Sequence, residues 1–206
     1  MENKRSEEGN PGAGLPRREE ALELLHRYTS KPGLLKHALA VEAAVRAYAR
    51  RFGEDEEAWG LVGLLHDFDY ERWPTAEDHP FRGAEVLERE GYPEWFRRAV
   101  LSHADHTGIS RESKLEKVLF ACDELCGFLT ACALVNPAKS LADVKVKSVR
   151  KKMKSKAFAA AVSREDILDG AEQLGVELNE HIEFVLQAMR SVAPELGLEG
   201  SPAEQG

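Results

Sequence analysis

Apolar residues recur with a 3.6-residue period along almost the whole chain, and no segment shows sustained alternation. That property confines the chain to helices packed on helices, so the fold class is all-α. "PRREEALELLHRYT" reads as a first helix. A second begins near Pro32, a favoured first-turn residue, runs through "LLKHALAVEAAVRAYARRF" and stops at Gly53. "EDEEAWGLVGLLHD" opens with acids that suit a helix N-terminus. A loop with Pro74 leads to "HPFRGAEVLEREG" and then to "PEWFRRAVLSHAD". "KLEKVLFACDELCGFLTACALV" is the longest apolar helix, and Asn136-Pro137 ends it.

Residues 16–135 therefore form one helical unit. Residues 136–193, more amphipathic and more charged, form a helical extension packed on it. Within the extension, Ser163 and Asp166 stand in capping-box positions, and Asn179 suits a helix cap. Gly, Pro and charge content predicts disordered tails over 1–15 and 194–206. The N-terminus lacks the apolar core of a signal peptide, and no run of eighteen apolar residues exists to span a membrane. A formal charge of −8 over 206 residues argues against general nucleic-acid binding. Cys122, Cys126 and Cys132, an odd number on one helix, make no disulfide framework and suit a reducing, cytoplasmic setting. Cys122 and Cys126 have the spacing to chelate a metal, but small core fillers are the commoner use.

Against that apolar pattern, certain polar residues stand out. His37 shares a helix face with Val41, Ala44, Tyr48 and Phe52, the stripe expected to face the core. His66 and Asp67 end a helix of Leu61, Leu64 and Leu65. His103 follows Ala99 and Val100, and Asp123 lies among Leu119, Phe120, Cys122 and Cys126. Each has an ordinary explanation taken singly: a hydrogen-bonded core histidine, a helix cap, a carboxylate beside a buried arginine. Four helices each aiming a ligand-type residue inward are better explained by one shared metal, because a buried carboxylate without a partner is very costly. Mixed imidazole and carboxylate donors suit Mn, Fe, Co, Ni or Zn. His26 and His181 have nothing that sets them on the core side and read as surface residues.

The ordered set His37, His66-Asp67, Asp123 resembles the H…HD…D signature of the HD-domain superfamily of metal-dependent phosphohydrolases. "HALAVEAAVRAYARRFG", "GLLHDFDYE", "HPFRGAEVLEREGYP" and "LSHAD" resemble stretches of bacterial HD proteins, and the likeness covers about residues 20–135. It implies an HD-domain-like helical bundle over 16–135 with additional C-terminal helices. It also implies that His37, His66, Asp67 and Asp123 bind one divalent transition metal. His79 and His103 match the extra histidines of two-metal members, among them the HD-GYP phosphodiesterases and the diiron proteins, in which the doublet aspartate bridges the ions. The preferred reading is a six-ligand binuclear site. In a one-metal site, His79 and His103 would contact the substrate phosphate or donate protons. The sequence departs from the HD-GYP pattern: "HADHTG" has no adjacent histidine pair, Tyr70 stands where those proteins carry a lysine, and Gly91-Tyr92-Pro93 reads as an interhelical turn. Cyclic-di-GMP hydrolysis is thereby disfavoured.

The activity implied is hydrolysis of a nucleotide or another small phosphorylated metabolite. The metal polarises a phosphoryl oxygen and lowers the pKa of water. Asp67 is placed at the catalytic centre, and Asp69 is the candidate to orient the water or take its proton, with Glu71 behind it. Arg82, His106 and the basic run "KVKSVRKKMKSK", represented by Lys145, Lys147 and Arg150, are the candidates to bind substrate. A solvated helix face is the ordinary explanation of that run. Two alternatives stay open: a mixed-valent diiron oxygenase of the same superfamily, and a non-catalytic metal- or nucleotide-binding module. A homodimer is compatible with the sequence.

Overall fold

The computed structural model describes residues 14–200. The tail expected over 1–15 lies outside them as far as residue 13. Ten α-helices run in the order α1 (Arg18–Tyr28), α2 (Pro32–Phe52), α3 (Glu56–Leu65), α4 (Phe81–Arg89), α5 (Glu94–Ser102), α6 (Lys114–Leu134), α7 (Val146–Met153), α8 (Arg164–Leu174), α9 (Leu178–Arg190) and α10 (Ala193–Leu196). Among the described residues there is no strand, only an isolated bridge between Ser140 and Glu199. Among the described residues no helix is long and apolar enough to cross a membrane.

The helix ends follow local chemistry. Pro32 occupies the first turn of α2, and Gly53 closes it in the left-handed conformation at φ 70°. Ser113 and Glu116 form a reciprocal capping box at the start of α6. Ser163 caps α8 by accepting the Asp166 N–H at 3.1 Å. Asn179 does not cap α9: Glu177 does, its carboxylate accepting the Asn179 N–H at 2.7 Å, so the helix starts one residue ahead of the expected cap. Gly91-Tyr92-Pro93 is the turn between α4 and α5, with Tyr92 buried against Phe96.

Helix α6 is the centre of the bundle, packed by α2, α5, α8 and α9. The most extensive helix pair is α2 with α3, and it is unusually close. A Cβ on Gly63 would stand 3.0 Å from the Glu42 Cα and 3.1 Å from the Val41 carbonyl oxygen, so only glycine allows this approach. That approach brings the C-terminal end of α3, with His66 and Asp67, up to the face of α2 that carries His37. The apolar interior is one cluster that includes Tyr48, Phe68, Phe96 and Phe128 and extends into α8 and α9.

Two expectations are corrected here. Residues 194–200 are not a free tail. Pro194 lies in α10, Leu196 and Leu198 are buried, and the Leu141 N–H donates to the Leu198 carbonyl, because this segment carries leucines that close the bottom of the core. His181 is not a surface residue but fully buried. Its Nε2–H donates to the Ala121 carbonyl at 2.8 Å, which leaves Nδ1 to accept the Tyr48 hydroxyl at 2.6 Å. Burial lowers its pKa, so it is held neutral. His26 is exposed. The three cysteines are buried and unpaired, and burial pushes each thiol up.

Candidate metal centre

Between the end of α3 and the start of α4 the chain makes a loop that carries Asp67, Asp69, Tyr70 and His79. It is pinned to the α1–α2 junction. The Thr29 hydroxyl donates to the Phe68 carbonyl at 2.7 Å, and the Arg72 guanidinium lies over the Tyr28 ring. Glu71 accepts the Ser30 and Lys31 N–H groups at 2.8 and 2.9 Å and the Ser30 hydroxyl at 2.8 Å. These amides open α2, whose N-cap Lys31 supplies no side-chain cap of its own. Glu71 is thus a structural cap from a distant loop and not a group of the cavity.

The six expected ligands come together as two sets. His37, His66 and Asp123 offer one nitrogen or oxygen each within 4.8 Å of one another, and so do Asp67, His79 and His103. His37 Nε2 lies 2.9 Å from Asp123 Oδ1, and His66 Nε2 lies 3.4 Å from the same oxygen. Asp67 stands between the sets. Its Oδ2 is 3.6 Å from His66 Nε2, while its Oδ1 is 3.2 Å from both His79 Nε2 and His103 Nε2.

The ring tautomers follow from the outer contacts. His66 Nδ1 donates to the Gly63 carbonyl at 2.8 Å, and His103 Nδ1 to the Val100 carbonyl at 2.5 Å. His79 Nδ1 donates to Asp69 Oδ1 at 2.8 Å. In its neutral form each of the three rings therefore turns an Nε2 lone pair inward, the arrangement in which metal-bound histidines are held. Inside the centre those lone pairs lack donors. His66 Nε2 is buried without a hydrogen-bond partner, and His79 Nε2 faces His103 Nε2 at 3.3 Å. Facing lone pairs repel unless a cation or a proton separates them. The donor set and its orphaned nitrogens fit divalent metal.

The electrostatics agree. Burial opposes charge on His66, yet the carboxylates of Asp67 and Asp123 outweigh it and raise the imidazole to about 9. His79 is likewise raised to about 9, burial being overcome by Asp67 and Asp69. Asp67 and Asp123 are held well below the usual carboxylate range; burial works against this, but the surrounding histidines prevail. The centre thus demands positive charge.

The centre opens into a cavity of about 460 Å³. Beyond the ligands its wall includes Tyr70, His106, Phe120, Glu124, Val162 and Asp166. Among the described residues no lysine or arginine lines it. His106, on the turn Asp105–Thr107, lines the cavity and anchors its ring by donating from Nε2 to the His79 carbonyl at 2.7 Å. Glu124 accepts the Ser163 N–H at 3.0 Å, and burial, then the neighbouring Asp123, push its carboxyl up to about 7.

Three further expectations are corrected. Asp69 does not rim the cavity. It is fully buried, one oxygen accepting from His79 and the other from the Gly83 N–H at 2.8 Å, so it orients the His79 ring and is shielded from water and substrate. Gly83 is what lets it sit there, since a Cβ would stand 2.7 Å from the Asp69 Cγ. Arg82 is half exposed, tied to Asp78 and Glu85 on its own stretch of chain, and outside the cavity wall. Lys145, Lys147 and Arg150 are exposed and also outside it. Helix α7 buries only Val149, so its charges turn to solvent. Cys122 and Cys126 belong to neither ligand set. Sequence reasoning missed Glu124 and Asp166. The i, i+3, i+4, i+7 spacing of Phe120, Asp123, Glu124 and Gly127 marks one helix face, and it was the available signal for Glu124.

Residues 34–127 match the family model of the HD domain. That segment is an HD domain, a family whose members bind divalent metals and are usually metal-dependent hydrolases. A search of curated proteins and a search of solved structures returned no match.

Proposed function

We propose that the protein is a metal-dependent phosphohydrolase acting on a small phosphorylated metabolite, with two divalent ions held by His37, His66, Asp67, His79, His103 and Asp123. The observation that carries this reading is Asp67, whose two oxygens are divided between the two ligand sets. A carboxylate so divided could be shared by ions held in the two sets, which would supply the two-metal chemistry suited to displacement at phosphorus. Bound there, the ions supply Lewis acidity and a nucleophilic water at neutral pH.

The chain's own groups do the rest. Asp69, through His79, and the Gly63 and Val100 carbonyls, through His66 and His103, fix ring orientation so that no reorganisation is needed during reaction. The phosphoryl group's charge is met at the centre itself, because the cavity wall offers no lysine or arginine. Tyr70, whose ring lies edge-on 5.2 Å from that of His79, and His106 line the cavity and would bound the size of the ester it takes.

Elemental analysis of the metal-loaded protein, combined with a hydrolysis screen over nucleoside monophosphates and small phosphomonoesters, tests the reading. Release of inorganic phosphate, abolished by Asp67→Ala together with bound metal, is the expected result. Turnover that depends on dioxygen and releases no phosphate by hydrolysis would replace it with the oxygenase reading.

A further inference from the structure

The part of the cavity away from the ligands has an unusual wall. From α6, Phe120, Asp123, Glu124 and Gly127 line the cavity, joined by Val162, just ahead of α8, and by Asp166 in its first turn. Gly127 lies mid-helix, where glycine costs about 1 kcal/mol relative to alanine. Packing does not require it: a Cβ there would meet only the Val162 Cγ2, at 3.8 Å. Its effect is to leave space about 6 Å along the helix from Asp123, at a rise of about 1.5 Å per residue. The same cavity wall carries the carboxyl groups of Glu124 and Asp166. Glu124 has one oxygen on the Ser163 N–H, and neither Glu124 nor Asp166 forms an ion pair among the described residues. Asp105, the remaining acid of the wall, is already paired with Arg111 at 2.6 Å.

Two acids without an ion-pair partner and no lysine or arginine, on the wall of the cavity that holds the candidate centre, bear on what the remainder of the substrate carries. We infer that the substrate is a small phosphomonoester whose alcohol portion bears an ammonium group, received between Glu124 and Asp166 in the space left by Gly127. This rests on the phosphohydrolase reading for the placement of the phosphoryl end. A nucleoside di- or triphosphate is the opposite case, since its extra anionic groups would lie against uncompensated carboxylates. The apolar faces of Phe120 and Val162 suit the short carbon chain between the two charged ends.

Three esters of nearly equal size separate charge from shape: phosphoethanolamine, ethylene glycol phosphate and phosphoglycolate. Calorimetric binding to the metal-loaded full-length protein and kcat/KM for phosphate release are measured for each. The expected order is ammonium above hydroxyl above carboxylate. The first step should be roughly tenfold or more, the size of one charge-assisted hydrogen bond. Asp166→Asn, which keeps shape and removes charge, should shrink the ratio between the first two esters. Gly127→Val should weaken phosphoethanolamine while bound metal, read by elemental analysis, is retained. Hydrolysis of all three with no preference for the ammonium ester would overturn the inference and leave the phosphohydrolase reading intact. Binding in the expected order without hydrolysis of any would do the reverse. Equal binding of the three esters, with or without turnover, also overturns it.

Discussion

His79 and His103 face each other Nε2 to Nε2 at 3.3 Å, while the Nδ1 of each ring is committed to an outside acceptor, Asp69 for one and the Val100 carbonyl for the other. Two Nε2 atoms held against each other in a buried site favour a cation between them, and the chain orients both rings from outside. Asp69 acts on the centre only through His79. Asp69→Asn keeps an acceptor for one contact but sets an amide against the Gly83 N–H, so metal affinity should fall about 10- to 100-fold. Gly83→Ala should give the same loss without altering any hydrogen-bonding side chain, because its Cβ displaces the Asp69 carboxylate. Metal titration of each variant, and of the double variant, checks this. The two losses should be far from additive.

The candidate ligand set was legible because its chemistry contradicted its setting. His37, His66, His103 and Asp123 are polar residues at helical positions that otherwise read as core, and helical periodicity fixes which way such residues point. Asp69 was legible as a carboxylate near the site but not in its role. Its direction depends on a non-periodic loop held by Thr29, Ser30 and Lys31, about forty residues earlier in the chain. Asp166 and Val162 reach the cavity only because α8 folds back on α6, a long-range pairing that no local pattern encodes. The basic run of α7 misled for the reverse reason. Its charge density is conspicuous, but a single buried residue, Val149, decides which way the helix faces.

The buried pair Tyr48 and His181 ties α2 to α9, and through Ala121 to α6. Tyr48→Phe should leave His181 Nδ1 as a buried acceptor without a donor, at a cost of about 1–3 kcal/mol. Urea unfolding of the variant should show the midpoint shifted with an unchanged slope.

Glu71 gives the fold an acid-sensitive tie. The Lys31 and Ser30 N–H groups, then the Ser30 hydroxyl, hold its carboxyl down, from 4.5 to about 2. A carboxylate whose folded pKa is depressed contributes stability that is fully present above its unfolded value and is lost as pH falls through the folded one. Thermal midpoints should therefore decline between about pH 4.5 and pH 2. In Glu71→Gln that part of the decline should be missing, and the midpoint at neutral pH should be lower. Melting curves across the range, read for both proteins, decide it.

Metal should also stabilise the fold, since it binds the native centre and discharges the repulsion between Asp67 and Asp123. At free metal about one hundred times the dissociation constant, the gain is about 2.7 kcal/mol. Chelation should lower the melting temperature accordingly. The same treatment of Asp67→Ala should change it far less.

The most direct measurement is metal stoichiometry by elemental analysis of the loaded, desalted protein. The account predicts two ions per chain, one for each ligand set. It also predicts one ion when His79 and His103 are both replaced by alanine, and loss of bound metal in Asp67→Ala. A wild-type protein that saturates with a single ion, or an Asp67→Ala variant that keeps its full metal content, would contradict the bridged centre on which the proposed chemistry depends.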